Sequence, residues 1–223
     1  MRKTIFANQE YYHIYNRGVD KREVFTSDED YIRFITSMRE FNVIEPIGSL
    51  HLKNIRDNYK KSVSGSTAKA LAVEPLTHPL VEIIAYCLNP NHFHIILKQI
   101  QDGGISEFMK RLSGGYTWHF NKKYERSGAL FQGRFKSIHI NTNEYLLHLS
   151  AYVNKNNFIH GYSNENWKYS SYLDYIGKRN GKLCNKEIIL GQFKDEKEYE
   201  DFMNKTGDYF KDKKEEMKGY LLE

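Results

Sequence analysis

Residues 80–88 form a nearly continuous apolar run, Leu-Val-Glu-Ile-Ile-Ala-Tyr-Cys-Leu, and a second run follows Asn89-Pro90-Asn91 and continues to about Lys98. Two such runs joined by a turn-forming tripeptide predict an antiparallel β-hairpin. Earlier, Tyr11-Tyr12-His13-Ile14-Tyr15-Asn16 is aromatic and β-branched and stops at Arg17-Gly18, which predicts a first strand. Ser27-Asp28-Glu29-Asp30 reads as a helix start, and Tyr31, Phe34, Ile35, Met38 and Phe41 follow at spacings of three and four, predicting a helix over about 28–42. Phe108, Leu112, Tyr116 and Phe120 recur every four residues and predict a second helix over 105–124. Gly114-Gly115 inside it should cost about 2 kcal/mol, so a kink or a close backbone approach is expected there. Leu130 to Ile140 reads as a fourth strand. Asn141, with Glu144 three residues on, opens a third helix that carries Tyr145, Leu149, Tyr152 and Asn156 on one face. The order strand, helix, strand, strand, helix, strand predicts an α+β, ferredoxin-like (split βαβ) fold. Its antiparallel four-stranded sheet would have the first and third strands at the centre and helices on one face.

The remaining segments read differently. Residues 43–79 contain Pro46, Pro75 and Pro79 and the run Lys60-Lys61-Ser62-Val63-Ser64-Gly65-Ser66-Thr67, and predict a long, mobile insertion loop. Trp167-Lys168-Tyr169-Ser170-Ser171-Tyr172 predicts an aromatic segment pinned to the core. From about residue 178 the chain is rich in Lys, Asn and Glu, and from Asp195 onward it predicts one or two charged helices with apolar spots at Tyr199, Phe202, Met203, Tyr209 and Phe210. The expected organisation is therefore a domain over 1–177 and a charged, mostly helical C-terminal extension over 178–223.

The chemistry begins on the second strand of the hairpin. Strand side chains alternate faces, so His92 and His94 point the same way while Phe93 points into the core, and two imidazoles on one face can grip one metal ion. Packing or core hydrogen bonding of those histidines is the competing reading. With 223 residues, a net charge of +5 and 17 tyrosines, the composition permits a nucleic-acid partner, since aromatic rings among Lys and Arg suit base stacking over phosphate contacts. An aromatic core explains the same composition. Cys87 and Cys184 are too few for a disulfide framework or a four-cysteine zinc site, which points to a reduced, cytoplasmic setting. The first residues lack a signal-peptide core and no stretch has the length of a membrane span, so no membrane partner is expected.

Five blocks then converge: Tyr12-His13-Ile14-Tyr15-Asn16-Arg17-Gly18, Asn89-Pro90-Asn91-His92-Phe93-His94, Gly128-Ala129-Leu130-Phe131-Gln132-Gly133-Arg134-Phe135-Lys136-Ser137, Tyr152-Val153-Asn154-Lys155-Asn156 and Trp167-Lys168-Tyr169-Ser170-Ser171-Tyr172. In this order the chain resembles the single-tyrosine transposases of the HUH endonuclease superfamily, and within them the REP-associated tyrosine transposases. The resemblance covers about residues 8–177 and skips the insertion. It implies a metal-dependent enzyme that nicks and rejoins single-stranded DNA at hairpin or palindromic repeats through a 5′-phosphotyrosine. Carried over, Tyr152 becomes the nucleophile, and His92, His94 and Asn156 become ligands of a divalent ion, Mg²⁺ or Mn²⁺. Asn157 stands where the family usually has proline, and Asn154 and Asn157 are competing amides. Arg134, Lys110, Arg111, Lys136 and Arg17 are candidate DNA contacts, and His13 and His148 are candidates to line the site. The branch implies a monomer. The alternative from the fold alone is a non-catalytic module that binds single-stranded nucleic acid.

Overall fold

A computed structural model of the chain describes residues 4–63, 78–162 and 167–218. Its four strands are β1 (Tyr11–Arg17), β2 (Val81–Asn89), β3 (His92–Gln99) and β4 (Lys136–Ile140), and its helices are α1 (Asp28–Glu40), α2 (Leu50–Val63), α3 (Gly104–Lys123), α4 (Asn143–Asn154), α5 (Asn156–Ile159), α6 (Tyr172–Tyr175), α7 (Glu187–Leu190) and α8 (Glu196–Lys218). The sheet order is β2-β3-β1-β4 with every pair antiparallel. This is the split βαβ order, and it centres β1 and β3 as the pattern predicts.

Alternation along the central strands builds two separate cores. On one face Phe93, Ile95 and Leu97 of β3 join Tyr12 and Ile14 of β1 beneath Phe34 and Met38 of α1 and Phe108 and Leu112 of α3. On the other, Ile96 of β3 joins Ile84 and Cys87 of β2 against Leu146 and Leu149 of α4 and Tyr199 and Met203 of α8. Helices therefore cover both faces, α1 and α3 forming the expected layer and α4 with α8 forming another. The second layer follows from α8, whose buried residues Tyr199, Met203, Thr206 and Gly207 recur at helical spacing on one stripe.

Three local departures from the sequence pattern have physical reasons. The segment 43–79 is not all loop, because Leu50–Val63 is helical. Leu50 is buried and Lys53 pairs with Glu40 of α1, but Leu52 and Ile55 are exposed, so the apolar face is too thin to announce a helix. The rest of that predicted loop, 64–77, lies outside the described residues. The fourth strand begins at Lys136 rather than Leu130. Gly133 takes φ +68° and turns the chain just before it. Finally, α3 runs through Gly114-Gly115 without a break. A Cβ on Gly115 would sit 2.9 Å from the Phe41 ring, so that glycine serves a close approach of α1's end to α3.

Asp30 ties the start of α1 to the end of α3. Its fully buried carboxylate accepts from the Thr26 and Ser27 amides, the Thr26 hydroxyl, Tyr124 and Lys123. Burial alone would raise its pKa, but the bonds from Lys123, Tyr124 and Thr26 outweigh that and hold it below the ordinary 3.8. A depressed folded pKa means the stability is present in full above the unfolded value and is lost as pH falls through the folded one. Asp30→Asn should therefore lower the unfolding free energy by about 3 kcal/mol at neutral pH. In urea titrations the gap should narrow as pH falls below the ordinary carboxylate value of 3.8 and through the lower folded one; an equal gap in acid would show that charge is not what Asp30 contributes.

Candidate active site

β3 presents His92 and His94 to the α4/α8 face, and β1 runs beside it with His13 and Tyr15 on the same face. The His94 ring lies 5.3 Å from that of His92 at an interplanar angle of 90° and stacks on Tyr15 at 5.6 Å. His13 Nε2 meets His94 Nδ1 at 2.8 Å, a bond that fixes the His94 ring and leaves its Nε2 directed elsewhere. His92 is fixed in the same way, with Nδ1 donating to Asn91 Oδ1 at 2.6 Å, which makes Nε2 the lone-pair nitrogen.

The third element arrives from α4. Thr142, not Asn141, caps its start by accepting from the Tyr145 amide at 3.1 Å. Tyr152 sits in the last turn with its ring 5.6 Å from His94, 6.3 Å from His13 and 5.0 Å from Phe210 of α8. The helix is interrupted at Lys155 and restarts as α5, whose first residue is Asn156. The break still delivers its amide: Asn156 Oδ1 lies 3.1 Å from His92 Nε2, and Asn156 hydrogen-bonds Tyr152. The competing amides go elsewhere. Asn154 donates to the Tyr199 hydroxyl and accepts from Ser171, and the Asn157 oxygen faces Cys87.

Burial governs the electrostatics. It pushes His13 and His92 down to about 4 and His94 well below its ordinary range, the last helped by neighbouring His13, His92 and His160. All three imidazoles are neutral at physiological pH, the state that offers a lone pair. Burial also raises the Tyr152 phenol, with the Asn156 bond opposing it. The cleft above these groups, about 430 Å³, is lined by Arg17, Lys21 and Lys136, and no carboxylate is among its described lining residues.

Of the proposed basic contacts, Arg17 and Lys136 thus reach the cleft, with Arg17 held by Gln132 at 2.5 Å. Arg134 and Lys110 line a different concavity. Arg111 is spent on Glu107 and the carbonyls of Val43 and Ile44, away from the cleft. His148 does not line the site: it is exposed and its ring packs on Phe202 at 5.2 Å, because α8 arrives on that side of α4. Residues outside the original candidates also converge. Asn89 donates to both His92 Nε2 (2.9 Å) and Asn156 Oδ1 (2.6 Å), the His160 ring lies tilted against His92 at 4.5 Å, and Lys214 of α8 meets His160 Nδ1 at 2.8 Å. Asn89 opens the Asn-Pro-Asn-His block and was within reach of the sequence; His160, Phe210 and Lys214 carry no spacing signal.

Residues 50–156 match the model of the family described as "Transposase IS200 like". Over that span the sequence is similar to the IS200-like transposases. The span runs from α2 to Asn156, so the transposase match contains His92, His94, Tyr152 and Asn156 but not β1 with His13 and Arg17. Among solved structures, one titled as the structure of the REP-associated tyrosine transposase bound to a REP hairpin is similar at 12% identity and a TM-score of 0.47, covering 83% of this chain and 97% of that one. No curated protein matches the chain. No described helix is long and apolar enough to cross a membrane.

The two amides should separate in stability. Asn154 satisfies Tyr199 and Ser171, whereas Asn156 Nδ2 is buried without a partner. Removing one partner of a buried network costs about 1–3 kcal/mol, while removing an unpaired polar atom recovers part of the loss. Denaturant titration should find Asn154→Ala clearly more destabilised than Asn156→Ala; the reverse order would mean that Asn156 is held for packing.

Proposed function

We propose that this chain is a transposase, a metal-dependent enzyme that nicks single-stranded DNA at hairpin or palindromic repeats and transfers the strand, with Tyr152 as nucleophile. The observation that carries the reading is the convergence of Tyr152, His92 and His94 on one cleft edged by Arg17 and Lys136, with no carboxylate among its described lining and with buried Asn156 against both His92 and Tyr152. The palindromic character of the DNA comes from the family resemblance; the cleft itself supports an anionic strand.

The ligand set fits a divalent ion. His92 Nε2 and Asn156 Oδ1 are both acceptors 3.1 Å apart, and neighbouring ligands of an octahedral ion at about 2.1 Å stand about 3.0 Å from one another. Asn89 Nδ2 bridges the same two acceptors. No group of three His, Cys, Asp or Glu forms a metal set among the described residues, so a site here would draw on a ligand of another type, and the Asn156 amide beside His92 can supply it. Imidazole and amide donors suit Mn²⁺, and Mg²⁺ when phosphate and water complete its shell. Bound there, the ion would polarise the scissile phosphate and neutralise developing charge.

The remaining steps belong to the chain. Arg17 and Lys136 attract and hold the strand, and Asn156 orients the Tyr152 hydroxyl, whose neutral phenol needs positioning because burial disfavours its anion. His13 keeps the His94 ring in place. In-line attack forms the bond from Tyr152 Oη to phosphorus and breaks the bond from phosphorus to the 3′-oxygen. The phenol proton leaves to water, and the 3′-oxygen departs as a hydroxyl. The phosphotyrosine keeps the energy of the broken ester, so another 3′-hydroxyl can reverse the step and join a new end.

Incubation with Mn²⁺ and single strands of any palindromic DNA flanking the gene should give a protein–DNA adduct that survives denaturation, and Tyr152→Phe should abolish it. An undiminished adduct in the Phe variant would remove Tyr152 from the role. Calorimetric titration with Mn²⁺ should show saturable binding that is absent in the His92→Ala, His94→Ala double variant and about 10- to 100-fold weaker in His13→Ala. Equal affinities in all three would eliminate the metal site.

A further inference from the structure

On the other side of β1 a second concavity of about 780 Å³ runs between α3 and the loop before β4. Asn16 lines both this groove and the catalytic cleft, and its Nδ2 donates to the Gly133 carbonyl at 3.2 Å. The turn at Gly133 separates its neighbours: Gln132 lines the cleft and bonds Arg17, whereas Arg134 lines the groove. One strand passing over Asn16 would touch both.

The groove has a particular chemistry. Its floor includes Met109, Leu130 and Phe131, and Trp118 of α3 stands beside it with 60% of its surface exposed. Gly114 leaves the helix bare there, since a Cβ would meet nothing within 4 Å. An indole held out from a bare helix face is a platform for a flat ring. The rim is cationic. Arg134 is exposed and makes no ion pair among the described residues, Lys122 Nζ lies 5.2 Å from the Trp118 ring centre, and exposed Lys110 pairs at 3.4 Å with half-buried Glu107, which Arg111 holds more closely at 2.8 Å. A pair of that kind exchanges readily for a phosphate. No acidic residue is among the described lining.

We propose that this groove holds one unpaired base of the DNA, stacked on Trp118, with the adjoining phosphates on Lys110 and Arg134. It is a second binding subsite, separate from the scissile phosphate, and it rests on the reading of the chain as a DNA-processing enzyme. Ser113 and Thr117 at the edge supply hydrogen-bonding groups for the base, and the apolar floor rewards a base taken out of a stack.

The full chain is titrated with the single strand used for the adduct test and with the blunt duplex made from it, following tryptophan emission. The single strand should quench emission saturably, Trp118→Phe should lose most of that quenching while Trp167 continues to emit, and Trp118→Ala should bind about tenfold more weakly. Because Trp118 is exposed, the thermal midpoint of Trp118→Ala should stay at the wild-type value, which separates lost stacking from lost fold. The Lys110→Ala, Arg134→Ala double variant should reduce the slope of log affinity against log salt by about 1.4, two phosphate contacts at about 0.7 each. Equal quenching by the duplex, or wild-type affinity in Trp118→Ala, would overturn the groove. Adduct formation by the wild type reports on nicking alone: adduct without quenching removes the groove and leaves the enzyme, and quenching without adduct does the opposite.

Discussion

Side chains on a strand leave it in opposite directions, and on β3 this alternation partitions the molecule. Phe93, Ile95 and Leu97 enter the α1/α3 core, while His92, His94 and Ile96 belong to the face covered by α4 and α8. A slip of one residue against β1 would bury two imidazoles among phenylalanines and expose Phe93, so the register Asn16↔Phe93 and Tyr15↔His94 is held by the hydrophobic core itself. Both neighbours of β3 then add to the site at fixed places. Asn89 lies opposite His92 on β2, and Tyr15 and His13 stand beside His94 and Ile96 on β1.

Burial of so many polar groups needs a lid, and α8 supplies it. Tyr199 and Met203 anchor it in the second core, where the Tyr199 hydroxyl meets Ser150 at 2.8 Å and Asn154 at 3.2 Å. Two turns and more beyond, Phe210 lies against Tyr152 and Lys214 against His160. α4 carries the tyrosine, but its ring is walled by β1 and β3 on one side and by α8 on another. The polar satisfaction of the site is incomplete at one atom, Asn156 Nδ2. Native structures tolerate few such atoms, and they concentrate where a group is held for chemistry.

How much of this can be read from the sequence depends on the range of the interaction. The strand order, the placement of His92 and His94, and the helix bearing Tyr152 come from local periods of two and about 3.6, which the chain displays openly. Asn156 beside His92 depends on a helix break at Lys155 that no residue in the segment announces, since neither glycine nor proline stands there. α2 was hidden because its apolar face is mostly exposed, and the late start of β4 because Gly133 can serve a strand or a left-handed turn equally well. Phe210, Lys214 and His160 are brought in by tertiary packing alone. Arg111 illustrates the converse: its position in a basic cluster suggested DNA, but the carbonyls of Val43 and Ile44 lie nearer than any ligand.

The charge of the cleft bears on which chemistry it can perform. A hydrolase that activates water commonly relies on a carboxylate as general base or on a metal that lowers the pKa of its bound water. Here the lining offers no carboxylate among the described residues, and its imidazoles are held neutral by burial. A neutral ligand set would leave the full charge of a bound divalent cation for the incoming phosphate, which favours binding a nucleic-acid strand. The hydroxyl placed beside that set is a tyrosine, fixed by Asn156 and by the rings of His94 and Phe210. Positioning a preformed protein nucleophile is a task for which this arrangement is suited.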